Sequence, residues 1–329
     1  MRQEPNFNMK KSLTIVIIFI LAVKAVDITV YQFLKFFCSH TFIGQDGGDF
    51  NKYLSDKNPP ALVIMGSSTT RFQVCPDSFP VKTGNLARSM TADAYQLGLL
   101  SIMIHHHQVP KNILLSLWPR NYVSAKPNGS ASEDILYLKY YYDQSDFVRK
   151  EINKISYTEK LKFFLFQSYR FNGDAINILK NYLLSRNHHK DKYFFKYEMA
   201  NTDDSLNILR IKQLHQQVPV ELTTGYLNRN QTRYLPEFIK LCRKNDINLI
   251  CYFMPLLEED YNFIGPGIQF TDSLMASNKL PYLKFSEENS PELFHHKSWW
   301  IDGEHMNELG AALQSNILAG FFKQHQQKK

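Results

Sequence analysis

Two short stretches of this sequence combine residue types that can carry out acyl chemistry. The first is Gly66-Ser67-Ser68-Thr69-Thr70, directly after the apolar run Leu62 to Met65. A glycine permits a sharp turn. A serine presented by that turn can offer its hydroxyl to solvent while its own backbone N–H helps to bind an oxyanion. The second stretch is Asp302-Gly303-Glu304-His305, near the C-terminus. An aspartate and a histidine three apart at a helix start meet on one face of the turn. The carboxylate can then accept a hydrogen bond from the imidazole Nδ1, fixing the tautomer and leaving Nε2 to take a proton from a serine.

Each stretch also has a plainer reading. G-S-S-T after a strand suits a phosphate-binding turn, although it lacks the Gly-Lys-Ser/Thr ending of a P-loop, and it suits an uninvolved loop. Asp302 can simply cap the last helix, with His305 on the surface. Together the two are more specific, because a serine without a base is a poor nucleophile. Other candidates read as structure. His105, His106 and His107 are consecutive, point in different directions and cannot meet one ion; His188-His189 and His295-His296 read as surface loop. Cys38, Cys75, Cys242 and Cys251 form no C-x-x-C pair, so no metal site is expected. The tyrosines from Tyr137 to Tyr142 and the run Phe163 to Phe166 read mainly as packing.

The elements around the two stretches alternate between strand and helix. Leu62 to Met65, 82–86 and 113–117 read as short strands, with a helix over 91–107 ended by Pro110. Strands at 247–255 and 280–285, a helix over 231–245 and a final helix from near Met306 complete the pattern. Such alternation predicts an α/β domain with a central parallel sheet. It occupies 61–329, interrupted at about 124–230 by a helical, aromatic-rich insertion that includes a loop over 188–204. Residues 35–60, polar and dotted with glycine and proline, read as a linker.

Residues 1–11 carry Lys10 and Lys11 before the apolar run Leu13 to Val23, the pattern of an export or anchoring signal. The uninterrupted run is short for a span, but apolar residues continue past Lys24 and Asp27, which are spaced to face each other on a helix. The reading is a single-pass signal anchor over 12–34, with the lysines cytoplasmic and the remainder on the exported side, periplasmic or extracellular. The alternative is cleavage after Ala25 and secretion. The chain has a net charge of +7, but its basic residues are scattered among acidic ones, so no nucleic-acid partner is expected.

A strand followed by G-S-S near the start, and D-x-x-H before the final helix, resemble the SGNH (GDSL-like) hydrolase superfamily. VIMGSSTTRF and YLKFSEENSPELF…WWIDGEHMNELGA are similar to the first and last blocks of its membrane-anchored branch of polysaccharide and cell-wall O-acyltransferase proteins. The resemblance covers roughly 60–123 and 235–322. It implies a three-layer α/β/α sandwich of flavodoxin-like order and a Ser-His-Asp triad of Ser68, His305 and Asp302, with Ser67 the lesser candidate. It implies no cofactor. The function it implies is exported O-acetyl transfer or ester hydrolysis on a cell-surface or extracellular glycan. The implied partners are a glycan acceptor, an acyl donor and a multi-spanning membrane acyl-donor exporter. The family's oxyanion glycine and asparagine are not cleanly matched. Gly84-Asn85-Leu86-Ala87-Arg88-Ser89 and Trp118-Pro119-Arg120-Asn121 stand in their blocks. The oxyanion candidates are therefore the Ser68 backbone, Ser89 and Asn121, with Arg120 a candidate for binding an anionic substrate group. The altered blocks also suit a non-catalytic glycan-binding or assembly subunit on the same fold.

Overall fold

A computed structural model of the chain describes residues 9–45, 47–126, 132–185, 225–257 and 261–326. Helix α1 (Met9–Ser39) precedes α2 (Gly48–Ser55). The sheet domain then starts with β1 (Leu62–Met65), α3 (Ser68–Gln73), β2 (Thr83–Asn85), α4 (Asp93–His105) and β3 (Asn112–Leu117). A short strand β4 (Val123–Ser124) leads to a 3₁₀ segment (Asp134–Tyr141) and helices α5 (Asp146–Ile155) and α6 (Tyr157–Leu165). Another 3₁₀ turn, Gln167–Phe171, enters α7 (Ala175–Ser185). The chain returns through β5 (Tyr226–Leu227), α8 (Tyr234–Lys244), β6 (Asn248–Phe253), α9 (Tyr261–Asn278), β7 (Tyr282–Lys284), α10 (Pro291–His295) and α11 (Glu308–His325). The loop expected over 188–204, with His188 and His189, lies outside the described residues.

The main sheet has the order β2-β1-β3-β6-β7, with every pairing parallel. Counted by its own strands this is 2-1-3-4-5, the order of flavodoxin-like sheets, whose chain direction switches between the first and third strands. β1, β3 and β6 read as unbroken apolar runs because both of their faces are covered. Val63, Met65, Ile113, Leu115 and Leu249 point to a core shared with α4 and α8. Leu62, Ile64, Leu114, Ile250 and Tyr252 point to the opposite core, closed by Leu318 and Phe322 of α11.

In the fold, the structure departs from the sequence reading in the linker, in the aromatic-rich middle and at the ends of α1. The segment read as a linker holds α2, which buries Phe50 and Tyr53 in the first core; Tyr53 donates to Gln108 O at 2.8 Å. The aromatic-rich middle divides in two. The 3₁₀ segment and α5 cover the outer side of α4 through Leu138, Val148 and Ile152, which is why α4 is buried nearly all round. By contrast, α6, the 167–171 turn and α7 lean on α1. Helix α1 extends beyond the expected 12–34 at both ends and is long and apolar enough to cross a membrane.

Candidate active site

Ser68 is the first residue of α3, just past the carboxyl end of β1. Gly66 makes that position reachable. A Cβ there would stand 2.2 Å from Thr70 Oγ1 and 2.7 Å from Ser116 Cβ, so only glycine lets α3 turn back this tightly against β3. Ser67 caps the turn with its hydroxyl buried, 3.2 Å from Thr69 Oγ1. Thr70 is tied to Tyr252 OH at 3.0 Å. Both serines reach the same cavity, but it is the Ser68 hydroxyl that lies 3.0 Å from His305 Nε2.

The Asp302–His305 turn stands before α11 rather than on it. Asn307 takes the N-cap instead, accepting from the N–H groups of Leu309 and Gly310, so Asp302 is left for His305. The turn is closed by a bridge between Trp300 and Met306, both fully buried. Trp300 Nε1 donates to Leu293 O at 2.7 Å. Gly310 is needed here, since a Cβ would meet Met306 Sδ at 2.8 Å. Two further bonds fix the turn against the sheet: Gln73 Nε2 of α3 donates to Glu304 O at 2.8 Å, and Leu257 N to Gly303 O at 2.9 Å. Two elements more than 200 residues apart are thus locked in one register.

Within the turn, Asp302 accepts from the backbone N–H groups of Glu304 at 2.8 Å and His305 at 2.7 Å. Its carboxylate also meets His305 Nδ1 at 2.9 and 3.1 Å. Burial alone would push the Asp302 carboxyl up, but these donors outweigh it and hold the group below its ordinary value. Burial likewise disfavours the imidazolium, yet Asp302 and, more weakly, Glu304 raise His305 above its ordinary 6.5. With Nδ1 donating to Asp302, Nε2 is the nitrogen that accepts from Ser68.

Ser68 opens onto a cavity of about 610 Å³ that also takes in Met90, Trp118, Asn121 and Glu133. Asn121, just past β3, stands across the switch point from Ser68, where ligands of open parallel sheets collect. Its side-chain amide makes no hydrogen bond among the described residues. The other two candidates are not brought there. Ser89 donates its N–H to Gln45 Oε1 at 2.9 Å and does not line the cavity. Arg120 lies over the Phe263 ring, 5.9 Å from its centroid, and is likewise off the cavity wall. No family model and no curated protein matches the chain.

One cavity residue had no signal in the sequence. Met90 sits in the left-handed region at φ 60 and is 81% exposed, a conformation that costs a non-glycine residue about 1–3 kcal/mol and tends to occur at functional sites. Its backbone N–H has no partner among the described residues. Asp93, in the first turn of α4, is buried beside this wall. It accepts from Tyr122 OH at 2.6 Å, and burial pushes its carboxyl up to about 7. The other described histidines that the sequence singled out are elsewhere: His105 to His107 end α4 exposed, His295 faces Glu287, and His296 stacks on Trp299. Among the described residues no cluster could hold a metal ion, and none of the four cysteines is in a disulfide.

Proposed function

We propose that this chain is an exported, membrane-anchored serine acyltransferase or esterase of the SGNH kind, acting on a glycan. The observation that carries this reading is the continuous relay from Asp302 through His305 to a serine that opens onto a cavity at the sheet's switch point. The 2-1-3-4-5 order, with a core on each face, supports a three-layer α/β/α sandwich. Helix α1 supports the anchor, with the domain on the exported side.

In this reading Ser68 Oγ attacks the acyl carbonyl as its proton passes to His305 Nε2. The tetrahedral intermediate collapses, the leaving group departs with that proton, and the acyl group, a small one such as acetyl, stays on Ser68. A sugar hydroxyl or water then attacks, giving its proton to His305, and the serine is restored. Asp302 stabilises the imidazolium in both halves. The Ser68 and Met90 N–H groups, with the Asn121 amide, are the donors for the oxyanion; Met90 takes the part first assigned to Ser89. Asn121 and Glu133 give the cavity polar groups suited to sugar hydroxyls. A non-catalytic glycan-binding or assembly subunit is the second reading, favoured by the commitment of the Ser89 N–H to Gln45.

Labelling with a fluorophosphonate separates the two. The full chain in detergent micelles should give an adduct located at Ser68 by mass spectrometry, and Ser68→Ala and His305→Ala should each abolish it. A folded chain that gives no adduct would put the non-catalytic reading first.

A further inference from the structure

We infer that α6 and the first turn of α7 are immersed in the same bilayer that α1 enters, so that the domain lies on the membrane rather than hanging from a tether. The inference rests on reading α1 as a membrane span and adds a second, domain-borne contact to it.

The first observation is a shortfall in α1. Its unbroken apolar stretch, Leu13 to Val23, covers about 16 Å of helix, roughly half of a hydrocarbon core. Reaching the full thickness requires α1 to about Phe33, which takes Lys24 and Asp27 into the apolar layer. Charged groups at such depth must face protein and be paired. Here they do. Asp27 is buried and accepts from Gln167 N at 3.0 Å, Ser168 N at 3.0 Å and Ser168 Oγ at 2.6 Å. Lys24 Nζ meets Asp27 at 3.3 Å and donates to Leu165 O at 2.7 Å. On the outward face of the same turns, Val26, Val30 and Phe33 stay exposed at i, i+4 and i+7. The second half of the span is thus completed by the domain, whose residues 165–168 stand at the depth of Lys24 and Asp27.

The second observation is independent of α1. Helix α6 buries Phe163 and turns Tyr157, Leu161, Phe164 and Leu165 outward, spaced i, i+4, i+7 and i+8. Phe164 is 77% exposed, and Ile176 at the start of α7 is 84% exposed. An apolar helical stripe directed away from the core is the mark of an interfacial helix. Lys160 and Lys180, exposed on the same two helices, have stems long enough to reach anionic headgroups. The occupant that fits is the bilayer itself, because Leu165 at the end of this stripe lies against Lys24 of α1, the helix read as entering that bilayer.

The test places single tryptophans in the full chain, reconstituted in phosphatidylcholine–phosphatidylglycerol vesicles with brominated acyl chains. F164W and I176W probe the patch, I20W probes α1, and K240W probes the exposed face of α8; Trp118, Trp299 and Trp300 give a constant background. The emission added by F164W and I176W should fall by at least half in brominated vesicles, as for I20W, while K240W is unchanged. If I20W is quenched and F164W and I176W are not, the patch is outside the bilayer and the inference is overturned. Quenching of those two by aqueous iodide would then mean a bare surface, and shielding from both quenchers a protein partner or second copy. If I20W too escapes the lipid quencher, the span reading falls, and this inference falls with it.

Discussion

Asp302 and Asp27 are built alike and put to different ends. Each carboxylate accepts two backbone N–H groups from a turn and adds one or more side-chain donors. Each has its basic partner three residues away: Asp302 with His305, Asp27 with Lys24. The difference lies in what the partner does next. His305 keeps a second nitrogen, and that nitrogen faces Ser68. Lys24 has no second titrating atom, and its ammonium is spent on Asp27 and Leu165 O. The same carboxylate device therefore turns a free imidazole nitrogen toward a serine in one place and fastens a helix in the other.

The largest separation of the two should come from Asp302→Asn. The asparagine keeps an oxygen for the turn's N–H groups, so the fold should survive, but its amide favours the wrong imidazole tautomer. Fluorophosphonate labelling should slow by about 10⁴-fold, the scale seen when a triad aspartate is lost this way. The pH dependence supplies the sign. Only neutral His305 can take the serine proton, and its raised value predicts a labelling rate that climbs with pH to a midpoint above 6.5. Without the carboxylate, whatever rate remains should show its midpoint shifted to lower pH. A modest loss with an unmoved midpoint would mean that Asp302 only braces the turn, like its counterpart.

Asp27→Asn should do the reverse. One of the 167–168 N–H groups, or Lys24, is then left facing an amide NH₂. Leaving a buried donor unmatched costs about 1–3 kcal/mol, which should appear as a lower thermal midpoint for the full chain in nanodiscs. The labelling rate of the folded protein at Ser68, and its pH midpoint, should not change. A shifted midpoint would join the two carboxylates into one system and dissolve the contrast.

What the sequence revealed follows the range of each interaction. β1, β3 and β6 were legible because apolar runs between turn residues are local, and Asp302 and His305 because three residues separate them. Ser68 was legible as a type in a turn, and the resemblance already preferred it to Ser67, but its meeting with His305 joins residues 237 apart. Helix α2 was missed because its apolar residues, Phe50, Tyr53 and Leu54, sit in a short stretch between Gly47-Gly48 and Pro59-Pro60. Gln45 from the same presumed linker occupies the Ser89 N–H, so misreading the one misassigned the other. The last turn was taken as a helix start because Asp302 and Asn307 are both good caps, and only the Trp300–Met306 bridge decides between them. The mate of Asp27 lies 140 residues away. Without it, Lys24 and Asp27 read only as an interruption of the apolar run.

Asp93 is a third carboxylate and extends the comparison to the case with the fewest donors. It lacks the paired backbone N–H groups of the other two. Its described hydrogen bond is from Tyr122 OH, and Asp134 adds repulsion from nearby. Burial therefore dominates and lifts it from 3.8 to about 7, whereas Asp302 is held low. A carboxyl raised in the folded state binds its proton more tightly there than in the unfolded chain. Its contribution to stability is complete below about 3.8 and declines as pH rises to about 7, above which it changes no further. Asp93→Asn, which resembles the protonated acid in shape, should remove this decline. Chemical denaturation of wild type and variant at pH 5 and pH 8 measures it: the variant should gain relative to wild type at the higher pH and little at the lower. Labelling at Ser68 should keep its midpoint, because Asp93 touches neither Ser68 nor His305. Equal behaviour of the two chains at both pH values would mean that Asp93 is ionised when folded and that two backbone donors are not what separates a low carboxylate from a high one in this protein.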